Sequence, residues 1–501
     1  MALPNKNNNN NNNKLNMPDK QTLILPLTNV HAKGDYTVRL QLGSRRDSVN
    51  LILDTGSSTL VVREGSYHPD KDASLKATSL AQEINYGIGG WDGPVVHTRV
   101  QAGTDKSSLV LESTPLALAC AGQEHTFGDA DGILGLAYRH LNKSYDLTAC
   151  LRANGVEPPL SYPWPFESKA PKVASSSPLA TEASPLATKT KILATETTAL
   201  AAEPKAMAPK PNAAQEQMKL TQLDCNDLSA FKHFLWQQHE QDIDPYFSVL
   251  TQQGLCANKF AFYSRRSSIH VAHAGATQAE LEADPLNQGY LVLGGGEELS
   301  RFYQGEFQTL AVEHDIYYNV SLVALQVADG PRITAAPLQP EYRANYFSNA
   351  IIDTGASGIA LTDALYQAMI EALCRHSADF AQLLAPFKAL SAQETGIDAA
   401  NLRLADWPDI HFIFAAAPTG QSPQSQAQAG EVILSCRPET YWQLNSPAPG
   451  RACFKIISQL PNWPNQSILG LPLLNNYFTL FDRSIAPNGV IGFAPLRTEA
   501  C

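Results

Sequence analysis

Residues 51–58 read Leu-Ile-Leu-Asp-Thr-Gly-Ser-Ser, and residues 350–357 repeat the pattern as Ala-Ile-Ile-Asp-Thr-Gly-Ala-Ser. In each copy an apolar run ends in Asp-Thr-Gly, which predicts a buried strand that enters a tight loop. Because glycine has no Cβ, another backbone can approach each aspartate closely. An aspartate is seldom buried without a partner, so we expect Asp54 and Asp353 to pair and share one proton. The alternative is that each aspartate only caps its own turn.

Both loops resemble the active-site loops of pepsin-like aspartic proteases, family A1. The resemblance implies a mostly β, bilobal fold with two pseudo-symmetric β lobes and the cleft between them. It also implies that Asp54 and Asp353 activate a water that hydrolyses peptide bonds between bulky hydrophobic residues. Such an endopeptidase works at acidic pH, is sensitive to pepstatin, and needs no metal or cofactor.

The resemblance also assigns residues around the two aspartates. Residues 84–91, Ile-Asn-Tyr-Gly-Ile-Gly-Gly-Trp, resemble the flap hairpin that closes over substrate in this family, with an ordinary aromatic hairpin as the alternative. The segments at 133–135 and 468–470, both Ile-Leu-Gly, resemble those that the family threads beside its two aspartate loops. The implied substrate-binding residues are Gly56, Tyr86, Gly87, Ile88, Ile133, Gly355 and Ser357. The implied residues that support the dyad are Thr55, Ser57, Thr354 and Ala356.

The chain departs from the pepsin pattern at the second aspartate loop and near the flap. Ala356 stands where pepsins usually have Thr or Ser, so Asp353 lacks the donor that Ser57 offers to Asp54. We therefore expect activity at less acidic pH than in pepsin, and we expect Ala356→Ser to move the acidic limb of the pH profile downward. Val61 stands where pepsins have the tryptophan that pairs with the flap tyrosine, and we hypothesise that Trp91 supplies the indole instead.

Features at the N-terminus and the cysteine pattern bear on location. The eight cysteines are scattered, and residues 61–78 lack the short disulfide loop of pepsins. We expect no secretory signal, because no apolar segment follows the Asn-rich start. The distance from the first strand to Asp54 resembles that in a mature pepsin and leaves no room for the Lys-rich prosegment of pepsinogens, so we expect none. These features predict a cytoplasmic enzyme that is not a zymogen, and they resemble the bacterial pepsin homologues called shewasins. Whether Cys436 and Cys453 pair is left open.

Composition predicts how the chain is divided. Residues 1–20 are Asn-rich and residues 157–219 are rich in Pro, Ala, Ser and Thr, so both are predicted to be disordered. The N-terminal lobe with the first motif and the flap is predicted at 21–156, and the interlobe strands and C-terminal lobe at 220–501.

The composition also limits the partners. The net charge of −11 argues against nucleic acid, and no apolar run is long enough to span a membrane. We expect a monomer whose partners are peptide or protein substrates. A pepsin-fold binding or inhibitory protein that no longer cleaves is the alternative.

Overall fold

The protein is described here from a computed structural model, which covers residues 21–86, 89–119, 127–164, 233–389, 391–416, 430–459 and 463–497. The side chains of residues 85–89 are outside this description. The predicted disordered segment 1–20 and residues 165–219 of the predicted insertion also lie outside the described residues.

The first half of the chain folds into a β lobe. Its strands are β1 (Leu23–Thr28), β2 (Thr37–Leu42), β3 (Asp47–Asp54), β4 (Leu60–Val62), β5 (Lys76–Tyr86), β6 (Gly89–Thr104), β7 (Ser107–Leu118), β8 (Gly132–Gly135), β9 (Lys143–Asp146) and β10 (His239–Asp242). Neighbouring strands follow the order β10-β9-β5-β6-β7-β4-β8-β3-β2-β1. The last four residues of β3 are all buried, as expected for a central strand that is covered on both faces.

The second half supplies the interlobe strands and a second β lobe. Its strands are β11 (Lys259–Tyr263), β12 (Gln288–Leu293), β13 (Gln308–Ala311), β14 (Asn319–Val320), β15 (Leu322–Val327), β16 (Ile333–Thr334), β17 (Ala350–Ile352), β18 (Ile359–Leu361), β19 (Ile397–Asp398), β20 (Ile410–Ala415), β21 (Glu431–Cys436), β22 (Trp442–Leu444), β23 (Arg451–Phe454), β24 (Ile456–Ser458), β25 (Ser467–Leu469), β26 (Tyr477–Asp482) and β27 (Val490–Pro495). The order β1-β12-β11-β26-β27-β13 continues the first sheet and joins the lobes. The remaining strands form the sheets β14-β17-β25-β18-β24, β16-β15-β20-β21 and β19-β23-β22.

Most helices in the described ranges have four to seven residues. The helices are α1 (Thr148–Ala153), α2 (Tyr246–Gln252), α3 (Gln278–Ala283), α4 (Arg343–Tyr346), α5 (Asp363–His376), α6 (Asp379–Leu384), α7 (Ala392–Thr395), α8 (Pro438–Tyr441) and α9 (Leu471–Leu474). The longest, α5, buries the face that carries Leu365, Met369 and Leu373, which recur at helical spacing. None of the helices described is both long and apolar enough to cross a membrane.

The two lobes repeat one local arrangement, which confirms the predicted bilobal, mostly β fold. In the first, β3 lies parallel to β8, and β8 pairs with β4 on its other side. In the second, β17 lies parallel to β25, and β25 pairs with β18. Each Ile-Leu-Gly segment therefore lies beside an aspartate strand. A Cβ on Gly135 would lie 2.5 Å from the backbone of Ser58, so the close approach requires glycine.

The described residues that flank segment 165–232 pack on β5 and β9, and β5 leads to the predicted flap. Strand β9 pairs with β5 at Leu80 and Ala81, and β10 adds to the outer edge of β9. The hydroxyl of Ser161 is buried and donates to the carbonyl of Leu80 at 2.6 Å. Residues 157–164 therefore belong to the folded N-terminal lobe, not to a disordered insertion, and residues 233–242 belong to that lobe as well.

Cys436 and Cys453 do not pair. Neither residue forms a disulfide, and both are buried. The Sγ atom of Cys453 lies 3.3 Å from the carbonyl oxygens of Gln393 and Ser446. Burial raises the pKa of the Cys436 thiol to about 12, so it stays protonated and is a poor nucleophile.

Candidate active site

Asp54 ends β3, Asp353 directly follows β17, and their buried carboxyl groups share a hydrogen bond. Each aspartate is also held by its own loop. The Gly56 N–H donates to Oδ1 of Asp54 at 2.7 Å, and the Gly355 N–H donates to Oδ1 of Asp353 at 2.9 Å. A Cβ at position 56 would lie only 2.7 Å from Oδ2 of Asp353, so the pair can meet only if this residue is glycine.

Thr55 and Thr354 join the two loops by reciprocal hydrogen bonds. The Thr55 N–H donates to Oγ1 of Thr354 at 3.1 Å, and the Thr354 N–H donates to Oγ1 of Thr55 at 2.9 Å. Each hydroxyl in turn donates across the junction, that of Thr55 to the Ile352 carbonyl and that of Thr354 to the Leu53 carbonyl. Both threonines are fully buried. The two aspartates are therefore held in register by main-chain and hydroxyl groups that have no contact with water.

The two carboxyl groups are not equivalent. The Ser57 hydroxyl donates to Oδ2 of Asp54 at 2.5 Å. Burial raises the pKa of Asp54, and the hydrogen bonds from Ser57 and Gly56 oppose that rise. Burial and the negative charge of Asp54 raise the pKa of Asp353 well above its ordinary value. The shared proton is therefore assigned to Asp353, and Asp54 is the ionised partner.

The second aspartate loop provides fewer hydrogen-bond donors that could stabilise an ionised Asp353. Ala356 occupies the position equivalent to Ser57, and its methyl group is buried. No hydrogen-bond donor in the described part of the chain reaches Oδ2 of Asp353. The buried carboxylate of Asp35 adds a further negative charge that raises the pKa of Asp353. Asp35 is not among the residues predicted from the sequence, where the available signal was an acidic residue two positions before the strand β2.

The predicted substrate-binding residues fall into two groups. Gly56, Gly355 and Ser357 lie in the aspartate loops, and Ser357 is buried. Ile133 is buried on β8 in a cluster with Val61 and Trp91, and Ile84 of β5 packs against that cluster. Trp91 thus fills the region beside Val61.

The tip of the predicted flap lies outside the description. Tyr86 ends β5, but its side chain and the residues Gly87 and Ile88 are beyond the described residues. The hypothesis that Trp91 pairs with Tyr86 therefore stays a prediction.

Comparison with known proteins agrees with this geometry. A vacuolar aspartic protease from Candida albicans is 32% identical over 126 residues, which are 23% of this chain and 29% of that protein. Plasmepsin I from two isolates of Plasmodium falciparum is 24% identical over 214 residues, 43% of this chain and 37% of that protein. The chain thus spans about a third of the length of these relatives. The eukaryotic aspartyl protease family matches residues 35–152 and 276–496, which is more than half of the sequence, and the chain belongs to that family.

Proposed function

We propose that the chain is an aspartic endopeptidase whose catalytic pair is Asp54 and Asp353. The proposal rests on the different surroundings of two neighbouring carboxyl groups, of which only one accepts a side-chain hydroxyl hydrogen bond from its own loop. Asp54 accepts hydrogen bonds from Ser57 and Gly56, whereas the pKa of Asp353 is raised by burial and by its neighbour. A pair that holds one proton supplies both a base and an acid at one point.

The reaction follows from this assignment. Ionised Asp54 takes a proton from a bound water while the water oxygen attacks the carbonyl carbon of the peptide. Protonated Asp353 gives its proton to the carbonyl oxygen, and a tetrahedral diol forms. The proton on Asp54 then passes to the leaving amine as the C–N bond breaks, and a diol proton returns to Asp353. No covalent intermediate with the enzyme forms.

The reciprocal threonine bonds keep the acid and the base in one geometry throughout this cycle. Both groups must stay within hydrogen-bond reach of the same water, and a small displacement would slow the reaction strongly. Thr55 and Thr354 are thus proposed as supporting residues, together with Ser57. Gly56, Gly355 and Ser357 are proposed to contact the substrate backbone.

The substrate preference is proposed from the cleft side of the first lobe. The cluster of Ile133, Trp91 and Val61 is buried beside the first aspartate strand, and the partly buried Ile84 on β5 packs against it and offers apolar surface. Such a surface favours bulky hydrophobic residues on either side of the scissile bond. We further propose that the flap residues Tyr86, Gly87 and Ile88 close over the peptide.

The remaining properties that we propose are inferred from the sequence alone. We propose activity at acidic pH and inhibition by pepstatin. A monomeric state, a cytoplasmic location and a close relation to the bacterial shewasins remain predictions.

Cleavage of a peptide library across acidic to neutral pH, with and without pepstatin, tests the function. We expect pepstatin-sensitive cleavage by the purified chain and its loss in Asp54→Asn and in Asp353→Asn. Both variants keep the shape of the side chain, so a loss of cleavage with unchanged thermal unfolding reports on chemistry. Pepstatin binding without cleavage of any peptide would instead support a binding or inhibitory protein.

A further inference from the structure

The loop that follows β8 is hydrogen-bonded to the backbone of the first aspartate loop. The N–H of Leu136 donates to the carbonyl oxygen of Asp54 at 2.7 Å, and the N–H of Ala137 donates to the carbonyl oxygen of Ser57 at 2.8 Å. A displacement of Leu136 and Ala137 would therefore displace the backbone of both the proposed base and its hydroxyl donor.

Two side chains from the second half of the chain hold this same loop. The hydroxyl of Tyr318 donates to the Leu136 carbonyl at 3.0 Å. The Arg483 guanidinium donates through Nε to the Tyr318 hydroxyl at 2.7 Å. Its Nη2 donates to the carbonyls of Leu136 and Ala137, the latter at 3.0 Å. The Arg483 guanidinium and the Tyr318 hydroxyl thus both hydrogen-bond to the loop after β8, at the adjacent carbonyls of residues 136 and 137.

Tyr318 is bonded to the strand of the second aspartate as well. Its carbonyl oxygen accepts a hydrogen bond from the N–H of Ile352 at 3.0 Å, and Ile352 directly precedes Asp353. The main chain of Tyr318 therefore holds one aspartate strand, while its hydroxyl reaches the loop that holds the other. This connection is separate from the bonds between Thr55 and Thr354.

Aromatic rings enclose the guanidinium. The Arg483 Cζ atom lies 4.3 Å from the ring centre of Tyr138, 5.2 Å from that of Phe247 and 5.4 Å from that of Tyr318. Tyr318 is fully buried. Charge-assisted hydrogen bonds are stronger and more directional in such surroundings, and the rings restrict the guanidinium to one orientation.

We propose that Arg483 and Tyr318 are positioning residues that set the separation of the two carboxyl groups. The inference rests on the proposed function, because it assigns these residues to the Asp54–Asp353 pair. Hydrolysis needs that separation to be held closely, since a pair that drifts apart shares its proton less well. The bridge formed by the fully buried Tyr318 and the half-buried Arg483 thus acts on the junction in addition to the threonine bonds.

Tyr318→Phe tests the proposal by the removal of one oxygen atom, and Arg483→Lys and Arg483→Met test the cation. Tyr138→Phe is the matched control, because its hydroxyl belongs to the same aromatic cluster but donates to the Asn488 carbonyl at 2.7 Å. Peptide cleavage gives kcat, KM and the pH profile, and thermal unfolding reports on folding. We expect Tyr318→Phe to lower kcat about tenfold with little change in KM, because only the geometry of the reacting groups is affected.

The width of the pH profile separates positioning from a merely structural role. If the carboxyl groups move apart, the ionised group raises the pKa of its partner less, and the shared proton stabilises the singly ionised pair less. The two apparent pKa values then approach each other, and the bell-shaped profile narrows. We expect this narrowing in Tyr318→Phe and not in Tyr138→Phe.

Each outcome is informative. A Tyr318→Phe enzyme with a lower melting temperature but an unchanged kcat and profile width would overturn the proposal. If Arg483→Met does not fold, Tyr318→Phe alone decides. If neither the unmodified chain nor Tyr138→Phe cleaves any peptide, the proposed function is wrong. If Tyr138→Phe is active and Tyr318→Phe has the same kcat and profile width, only the positioning role of Arg483 and Tyr318 is wrong.

Discussion

Ala356→Ser would supply Asp353 with the hydrogen bond that Ser57 already gives Asp54. Ser57 donates to its carboxylate at 2.5 Å, and Ala356 occupies the equivalent place in the second loop. A hydrogen bond to a charged group contributes about 1.5–3 kcal/mol. Because one pKa unit corresponds to about 1.4 kcal/mol, the new donor should lower the pKa of Asp353 by roughly one to two units.

The sign of the effect follows from which carboxyl group holds the proton. Asp353 must be protonated for catalysis, and a donor that stabilises its ionised form makes it lose that proton at lower pH. The alkaline limb of the profile should therefore move downward. The sequence alone predicts that Ala356→Ser shifts the acidic limb of the pH profile. With the proton on Asp353, the larger shift is instead expected in the alkaline limb.

The assay is kcat/KM for one peptide measured across pH for the unmodified chain and three variants. Ser57→Ala is the reciprocal control, because the loss of its donor should raise the pKa of Asp54 and move the acidic limb upward. The double variant Ser57→Ala with Ala356→Ser should show both changes. A folded, active Ala356→Ser enzyme with an unmoved alkaline limb would refute the assignment of the proton to Asp353.

Three further predictions address the junction and the flap strand. Thr354→Val leaves the Thr55 N–H and the Leu53 carbonyl without their buried partner, which should lower the free energy of unfolding by roughly 2–4 kcal/mol in urea denaturation. Gly56→Ala places a methyl group 2.7 Å from Oδ2 of Asp353, so we expect at least about a hundredfold loss of kcat in a folded protein. Trp236→Phe removes the indole donor that bonds Oε1 of Glu83 at 2.8 Å on β5, and it should speed hydrogen exchange in residues 76–86 and raise KM about threefold.

Each of these has an outcome that contradicts it. Unfolding of Thr354→Val at the same urea concentration as the unmodified chain would mean that the threonine bonds add little stability. Full activity in Gly56→Ala would mean that the carboxyl groups do not meet as described. For Trp236→Phe, unchanged exchange in residues 76–86 would show that the hydrogen bond from Trp236 to Glu83 does not restrain β5.

The sequence by itself determined the family resemblance and the mostly β, bilobal fold, because both depend on local patterns. An apolar run that ends in Asp-Thr-Gly specifies a buried strand and a tight loop wherever it occurs, and its repetition predicts two equivalent lobes. Composition was a weaker guide, since the prolines of residues 157–164 predicted disorder although Ser161 is buried against β5.

Tertiary structure alone decided which groups meet. The Arg483–Tyr318 bond joins residues 165 positions apart, and no local pattern in either stretch indicates it. The effect of the buried Asp35 on the pKa of Asp353 and the contact of Trp236 with Glu83 likewise arise from segments that packing brings together from distant parts of the chain. The pKa of a buried carboxyl group depends on every charge and donor that packing brings near it. The sequence could name the two aspartates and the missing donor at Ala356, but only the fold shows the buried charges and hydrogen bonds that surround the pair.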